Sequence, residues 1–217
     1  MNIEKKFCIL MLFFLCLSFE TYQPKHGWDI HRDDPGLWVK FCDLSGKNTQ
    51  FLNLLITQTE SVLNEYNQVS TSYVNLVMYP TDLENTDESV VASMFSPEKA
   101  EIRTIEICFD FGYDPTASGQ GILKYEGDQW TGCNIKLKED YLTNPYSFQA
   151  TLLHEMGHCL GLAHPQNTEL AIMSYNSSGF NQKKLKIDDK MGLTYLYPAD
   201  SDYGEEALTF GLGCSVK

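Results

Sequence analysis

The chain has 217 residues, a formal charge of −13 and 43% hydrophobic residues. That apolar content excludes a disordered chain, and the length suits one well-cored domain. The acidity argues against a nucleic-acid partner, which needs a basic patch, and favours solubility without indicating a substrate.

The first segment reads as an export signal. Lys5-Lys6 precede 13 mostly apolar residues, Phe7 to Phe19. A short basic start and a short apolar run describe a secretory signal over 1–22, and the run is too short to span a bilayer. Its removal leaves the charge unchanged, because Lys5 and Lys6 balance Glu4 and Glu20. The expected location is extracellular. The alternative is a lipid anchor on Cys16 at the cell surface, and membrane contact is expected only in that case.

Residues 23–35 are mainly polar and read as a short leader. One main domain is expected over 36–200, with a C-terminal tail at 201–217. A first strand is expected over 37–42. In 49–66, Phe51, Leu54, Leu55, Val62 and Leu63 have helical spacing. Residues 73–79 are rich in strand formers and are closed by Pro80. Residues 81–99 are acidic and irregular. A strand is expected over 102–111. Two short strands, 122–125 and 133–137, are joined by a turn at Gly127-Asp128. Asn144-Pro145 offers a helix start, and that helix runs to about Leu160. A last helix covers 187–196. The order implies an α/β (α+β) class, with one small mixed five-stranded sheet and three helices.

Five cysteines remain beyond the signal: Cys42, Cys108, Cys133, Cys159 and Cys214. Export permits disulfides, and an odd count leaves one thiol over. Cys159 is expected to be that thiol. The other four allow three pairings, of which Cys108–Cys133 with Cys42–Cys214 is preferred.

The most specific stretch is His154-Glu155-Met156-Gly157-His158-Cys159-Leu160-Gly161-Leu162-Ala163-His164. At about 100° per residue, His154 and His158 lie about 40° apart on one helical face. Two such histidines can bind one zinc ion, and Glu155 can act as general base. His164 in a continued helix would sit about 120° from His158 and could not join. Gly161 resolves this, because glycine ends a helix in a left-handed conformation without a Cβ penalty. Three protein ligands then leave one position open, as in a catalytic zinc site.

This motif resembles that of the metzincins, a clan of zinc peptidases with three histidines followed by a Met-turn. Ala171-Ile172-Met173-Ser174-Tyr175 matches the Met-turn, with Met173 nine residues after His164. Within the clan the chain most resembles the matrixins, through that short gap and the ending Ile187-Asp188-Asp189-Lys190-Met191-Gly192-Leu193-Thr194-Tyr195-Leu196-Tyr197. His164-Pro165 and the Met-turn also resemble those of serralysins.

The resemblance implies a metzincin-type zinc-protease fold and one catalytic zinc. Met173 forms an apolar floor beneath the metal. Tyr175 takes either a transition-state role or, preferably, a pocket wall. Calcium at Asp110 and Asp114 stays open against a solvated acidic loop. The implied partner is a protein or peptide substrate lying extended against the strand 121–125, with 176–184 shaping the pocket. A monomer is expected. No inhibitory cysteine motif is seen. No histidine lies between His31 and His154, so the structural zinc typical of matrixins is not expected. Two other readings stay open: a metal-binding surface protein on this fold, and a zinc hydrolase of a non-protein substrate.

Overall fold

A computed structural model describes residues 20–21, 27–30, 32, 36–42, 44, 47–79, 103–109, 118–139, 144–165, 171–174 and 183–200. The elements are β1 (Glu20–Thr21), β2 (Gly27–Trp28), β3 (Leu37–Phe41), α1 (Thr49–Asn67), β4 (Leu76–Met78), β5 (Thr104–Cys108), β6 (Gly119–Glu126), β7 (Gln129–Leu137), α2 (Pro145–Cys159), β8 (Leu162–Ala163) and α3 (Ile187–Leu196). The mixed α/β class and the three helices match the expectation. No described helix is long and apolar enough to cross a membrane.

The sheet has six strands rather than five. The sixth is β2, inside the stretch read as a leader. It pairs in parallel with β7 at Gln129 and Trp130. The opposite edge of those same residues pairs with β6. Strand β2 therefore lies in line with β5, and the sheet stays five strands wide, in the order β4-β3-β5-β7-β6. All pairings are parallel except β6 with β7. A second, two-stranded sheet joins β1 to β8. Its first strand falls inside the span read as the signal.

The pleat explains the core. Alternate residues of a strand face the same side. Val39, Ile105 and Cys133 are in register, as are Phe41, Ile107 and Ile135. Val39, Ile105, Ile107, Cys133 and Ile135 are fully buried. Helix α2 packs on β6 and β7, and α1 packs on α2. Phe148, Leu152, Leu153 and Met156 of α2 are buried, with Leu55 and Tyr66 of α1. Asn48 caps α1, its side chain accepting from the Phe51 amide at 2.9 Å.

The disulfides differ from the preferred pairing. Cys42 is bonded to Cys108, and Cys133 to Cys159. Register explains both. Phe41 stands opposite Ile107, so the next residues, Cys42 and Cys108, emerge side by side, with Cα atoms 4.9 Å apart. Cys108 is level with Lys136, and Cys133 with Ile105. Cys108 and Cys133 are thus three residues apart along the sheet, about 10 Å, and on opposite faces. Cys133 instead faces α2, where Cys159 meets it. Cys159 is therefore not the odd thiol. Cys214 lies outside the described residues, and Cys42 is already bonded elsewhere. Peptide mapping of the unreduced protein is expected to recover Cys42–Cys108 and Cys133–Cys159 peptides. A Cys42–Cys214 peptide would contradict this fold.

Candidate active site

Helix α2 begins as the sequence suggests. Asn144 precedes Pro145, and its side-chain oxygen accepts from the Ser147 amide at 3.4 Å. The helix then carries His154, Glu155 and His158 toward β6. It ends where Gly161 adopts φ +93° and donates to the His158 carbonyl at 3.0 Å. A Cβ on Gly161 would fall 2.6 Å from the Trp130 ring. Handedness and space both demand glycine there. The chain turns back through β8 and returns His164 to the helix.

The three imidazoles converge. Nε2 of His164 lies 2.9 Å from Nε2 of His154 and 3.1 Å from Nε2 of His158. Their remote nitrogens have partners: His154 Nδ1 donates to the Ile172 carbonyl at 3.0 Å, and His158 Nδ1 to the Leu162 carbonyl at 2.9 Å. That leaves Nε2 of both rings as lone pairs, and His164 can offer one proton between them. A cation satisfies all three nitrogens at once, and imidazoles oriented by carbonyls suit a zinc site. The donor set thus fits a zinc ion. It is also the one cluster of three or more potential metal ligands among the described residues.

Electrostatics keep the rings neutral. Burial pushes His158 down to about 3, helped by repulsion from His154 and His164. Burial, with repulsion from His154, pushes His164 down to about 4. Burial also lowers His154, against its bond to Ile172. Glu155 is buried beside them, and its Oε2 accepts from the Gly121 amide of β6 at 2.7 Å. Burial raises its carboxyl to about 7, against the pull of that amide.

Glycine lets the strand come this close. A Cβ on Gly121 would sit 3.0 Å from the Glu155 carbonyl and 3.1 Å from His158 Cβ. Strand β6 pairs with β7 on one edge and with no described strand on the other.

Met173 lies behind the helix and is 1% exposed. Its sulfur fills the space a Cβ on Gly157 would need, and Tyr66 Oη would lie 3.2 Å from that Cβ. The Tyr66 hydroxyl donates to the Leu153 carbonyl at 2.5 Å. Tyr175, Asp110 and Asp114 lie outside the described residues.

Sequence reasoning missed Asp189. It is 2% exposed, and its carboxylate accepts from the amides of Ile172 and Lys186, both at 2.8 Å, and of Met173 at 3.3 Å. Burial raises its pKa to about 6, against the pull of these amides. Ile172 in turn accepts from His154, so Asp189 fixes the Met-turn and, through it, one ring of the cluster. The available signal was an acidic residue three positions after the helix cap, a place where a side chain reaches back to the cap amide.

The comparisons agree with this geometry. The family model described as Matrixin matches residues 22–198. The chain belongs to the matrixin family. Matrixins are zinc metalloendopeptidases. Matrix metalloproteinase-B of Caenorhabditis elegans is similar to this matrixin, with 40% identity over 63 residues. That match covers 28% of the chain and 12% of the relative's length.

Two substitutions test the supports of this matrixin site. Gly161→Ala is expected to lower unfolding free energy by at least about 2 kcal/mol in urea titration, from handedness and crowding together. Asp189→Ala strands three amides, two of them in buried hydrogen bonds, and is expected to cost about 3 kcal/mol. A loss under about 0.5 kcal/mol, the range of an ordinary surface change, would remove Asp189 from this role.

Proposed function

We propose that this chain is a secreted zinc endopeptidase, with His154, His158 and His164 as ligands to one zinc and Glu155 as general base. The observation that carries the proposal is the carboxylate of Glu155, held beside the histidine cluster by the amide of an edge strand. A site that served only to bind metal has no use for a buried carboxylate in that place.

When bound, zinc supplies Lewis-acid activation of water and of the substrate carbonyl. Glu155 accepts the proton of the attacking water and hands it to the leaving amine. The Ile172 and Leu162 carbonyls keep His154 and His158 turned with Nε2 inward. The substrate lies extended along the free edge of β6, adding a strand to the sheet. That places its backbone over Glu155, because β6 and the glutamate are already in contact.

Two disulfides within the domain suit an oxidising compartment and support export. The signal over 1–22, the monomeric state and calcium at Asp110 and Asp114 belong to this reading on sequence grounds alone.

The test is cleavage of a diverse quenched-peptide library by the zinc-loaded protein, with and without calcium, beside a chelated sample and Glu155→Gln. The parent is expected to cleave, and the chelated sample is not. Glu155→Gln is expected to lose at least about a hundredfold in rate while holding one zinc, because a general base contributes that much or more. Retained cleavage in the variant sinks the base assignment. A parent that holds zinc and cleaves no peptide favours the binding-protein reading.

A further inference from the structure

Every carbonyl from Met156 to Leu160, at and just past the end of α2, has a donor, and two of those donors come from distant parts of the chain. The carbonyls of Met156 and Gly157 accept from the Leu160 amide at 3.0 and 3.1 Å, and that of His158 from Gly161 at 3.0 Å. The chain then leaves the helix. The Cys159 carbonyl accepts from the indole Nε1 of Trp28 at 2.7 Å, across 131 residues. The Leu160 carbonyl accepts from the hydroxyl of Tyr197 at 3.0 Å, across 37 residues.

The two donors form a unit. The Tyr197 hydroxyl also lies close to the backbone of Trp28. Both side chains are buried, at 5% and 3% exposure. The Trp28 ring meets the Trp130 ring edge-on at 6.3 Å, and Trp130 is the ring against which Gly161 turns. Helix ends ordinarily satisfy their last carbonyls with local backbone or water. Here β2 and the residue after α3 do so instead.

The carbonyls in question sit between the metal-facing groups. Cys159 follows His158. Leu160 precedes the glycine from which the chain returns to deliver His164. Leu162, one residue beyond that glycine, holds Nδ1 of His158. We propose that Trp28 and Tyr197 are positioning residues for the metal centre. They clamp the end of α2 so that His158 and His164 meet His154 in one geometry. The proposal rests on the zinc centre proposed above. Neither residue touches the ion; each acts through a backbone carbonyl.

The test compares zinc release from Trp28→Phe, Tyr197→Phe and Tyr73→Phe with release from the parent, using a chromophoric chelator. Unfolding of each metal-free protein is followed in parallel. Tyr197→Phe changes one hydroxyl and leaves the packing intact. Tyr73→Phe is the control: Tyr73 packs edge-on to Tyr197 at 5.9 Å and donates to the Ile30 carbonyl at 3.3 Å, away from α2.

The two clamp variants are expected to release zinc about tenfold faster or more, the usual cost of losing a residue that orients a ligand. The control is expected to stay within about twofold of the parent, since it loses a hydrogen bond but orients no ligand. Parental release rates in both clamp variants overturn the proposal, as does equal acceleration in the control. Failure of both to fold also overturns it, because the pair then holds the fold rather than the metal. A parent that binds no zinc is a different result: it removes the zinc centre itself and this clamp with it.

Discussion

Three imidazoles can share one ion only if each arrives neutral, with its ring plane fixed and its free nitrogen aimed at a common point. Two of the rings come from one helix, a turn apart, so the helix supplies their spacing. The third must come from chain that has left the helix and reversed. The rest of the described structure serves these two demands. Gly161 reverses the chain, and Trp130 leaves room for nothing larger. The Ile172 and Leu162 carbonyls fix the planes of His154 and His158. Asp189 holds Ile172, and Met173 occupies the hollow that Gly157 leaves.

The sheet matters chiefly as the body against which α2 is fixed. Parallel strands β3, β5 and β7 present one buried apolar face, and Phe148, Leu152, Leu153 and Met156 are buried with it. The antiparallel edge strand β6 then reaches the helix close enough for its amide to bind Glu155. A carboxylate buried without such a donor would be costly. With it, the group stays next to the histidines and next to the edge of β6 that pairs with no described strand. One short contact therefore joins the edge strand of the sheet to the carboxylate beside the histidine cluster.

Local signals made the site legible. The histidine spacing, Gly161 and the Asn144-Pro145 start are periodicity and capping rules, and each holds within a few residues of chain. Met173 was found through family resemblance, again by spacing. What sequence left hidden were pairings across long separations. Strand β2 is two residues long, too short for any pattern, and its pairing depends on a free stretch of β7 edge. Cys159, one residue past His158 on the helix, points away from the metal face and into the core, and that direction takes it to Cys133. The register of β3 against β5 sets Cys42 beside Cys108, and register across a parallel sheet leaves no local trace. Asp189 lies within the ending that resembles the matrixins, yet its three amide partners arrive from two separate segments.

The Cys133–Cys159 bond spans 26 residues of sequence separation and is wholly buried. Everything between those cysteines, including His154, Glu155 and His158, lies inside a closed covalent ring. A single backbone nick anywhere in that ring opens it without producing two molecules. The cut ends remain tethered through sulfur, and the fragment bearing the histidines stays attached to the interior strand β7. The protein thus gains tolerance to being nicked, in the very stretch where a nick would otherwise separate part of the histidine cluster from the sheet.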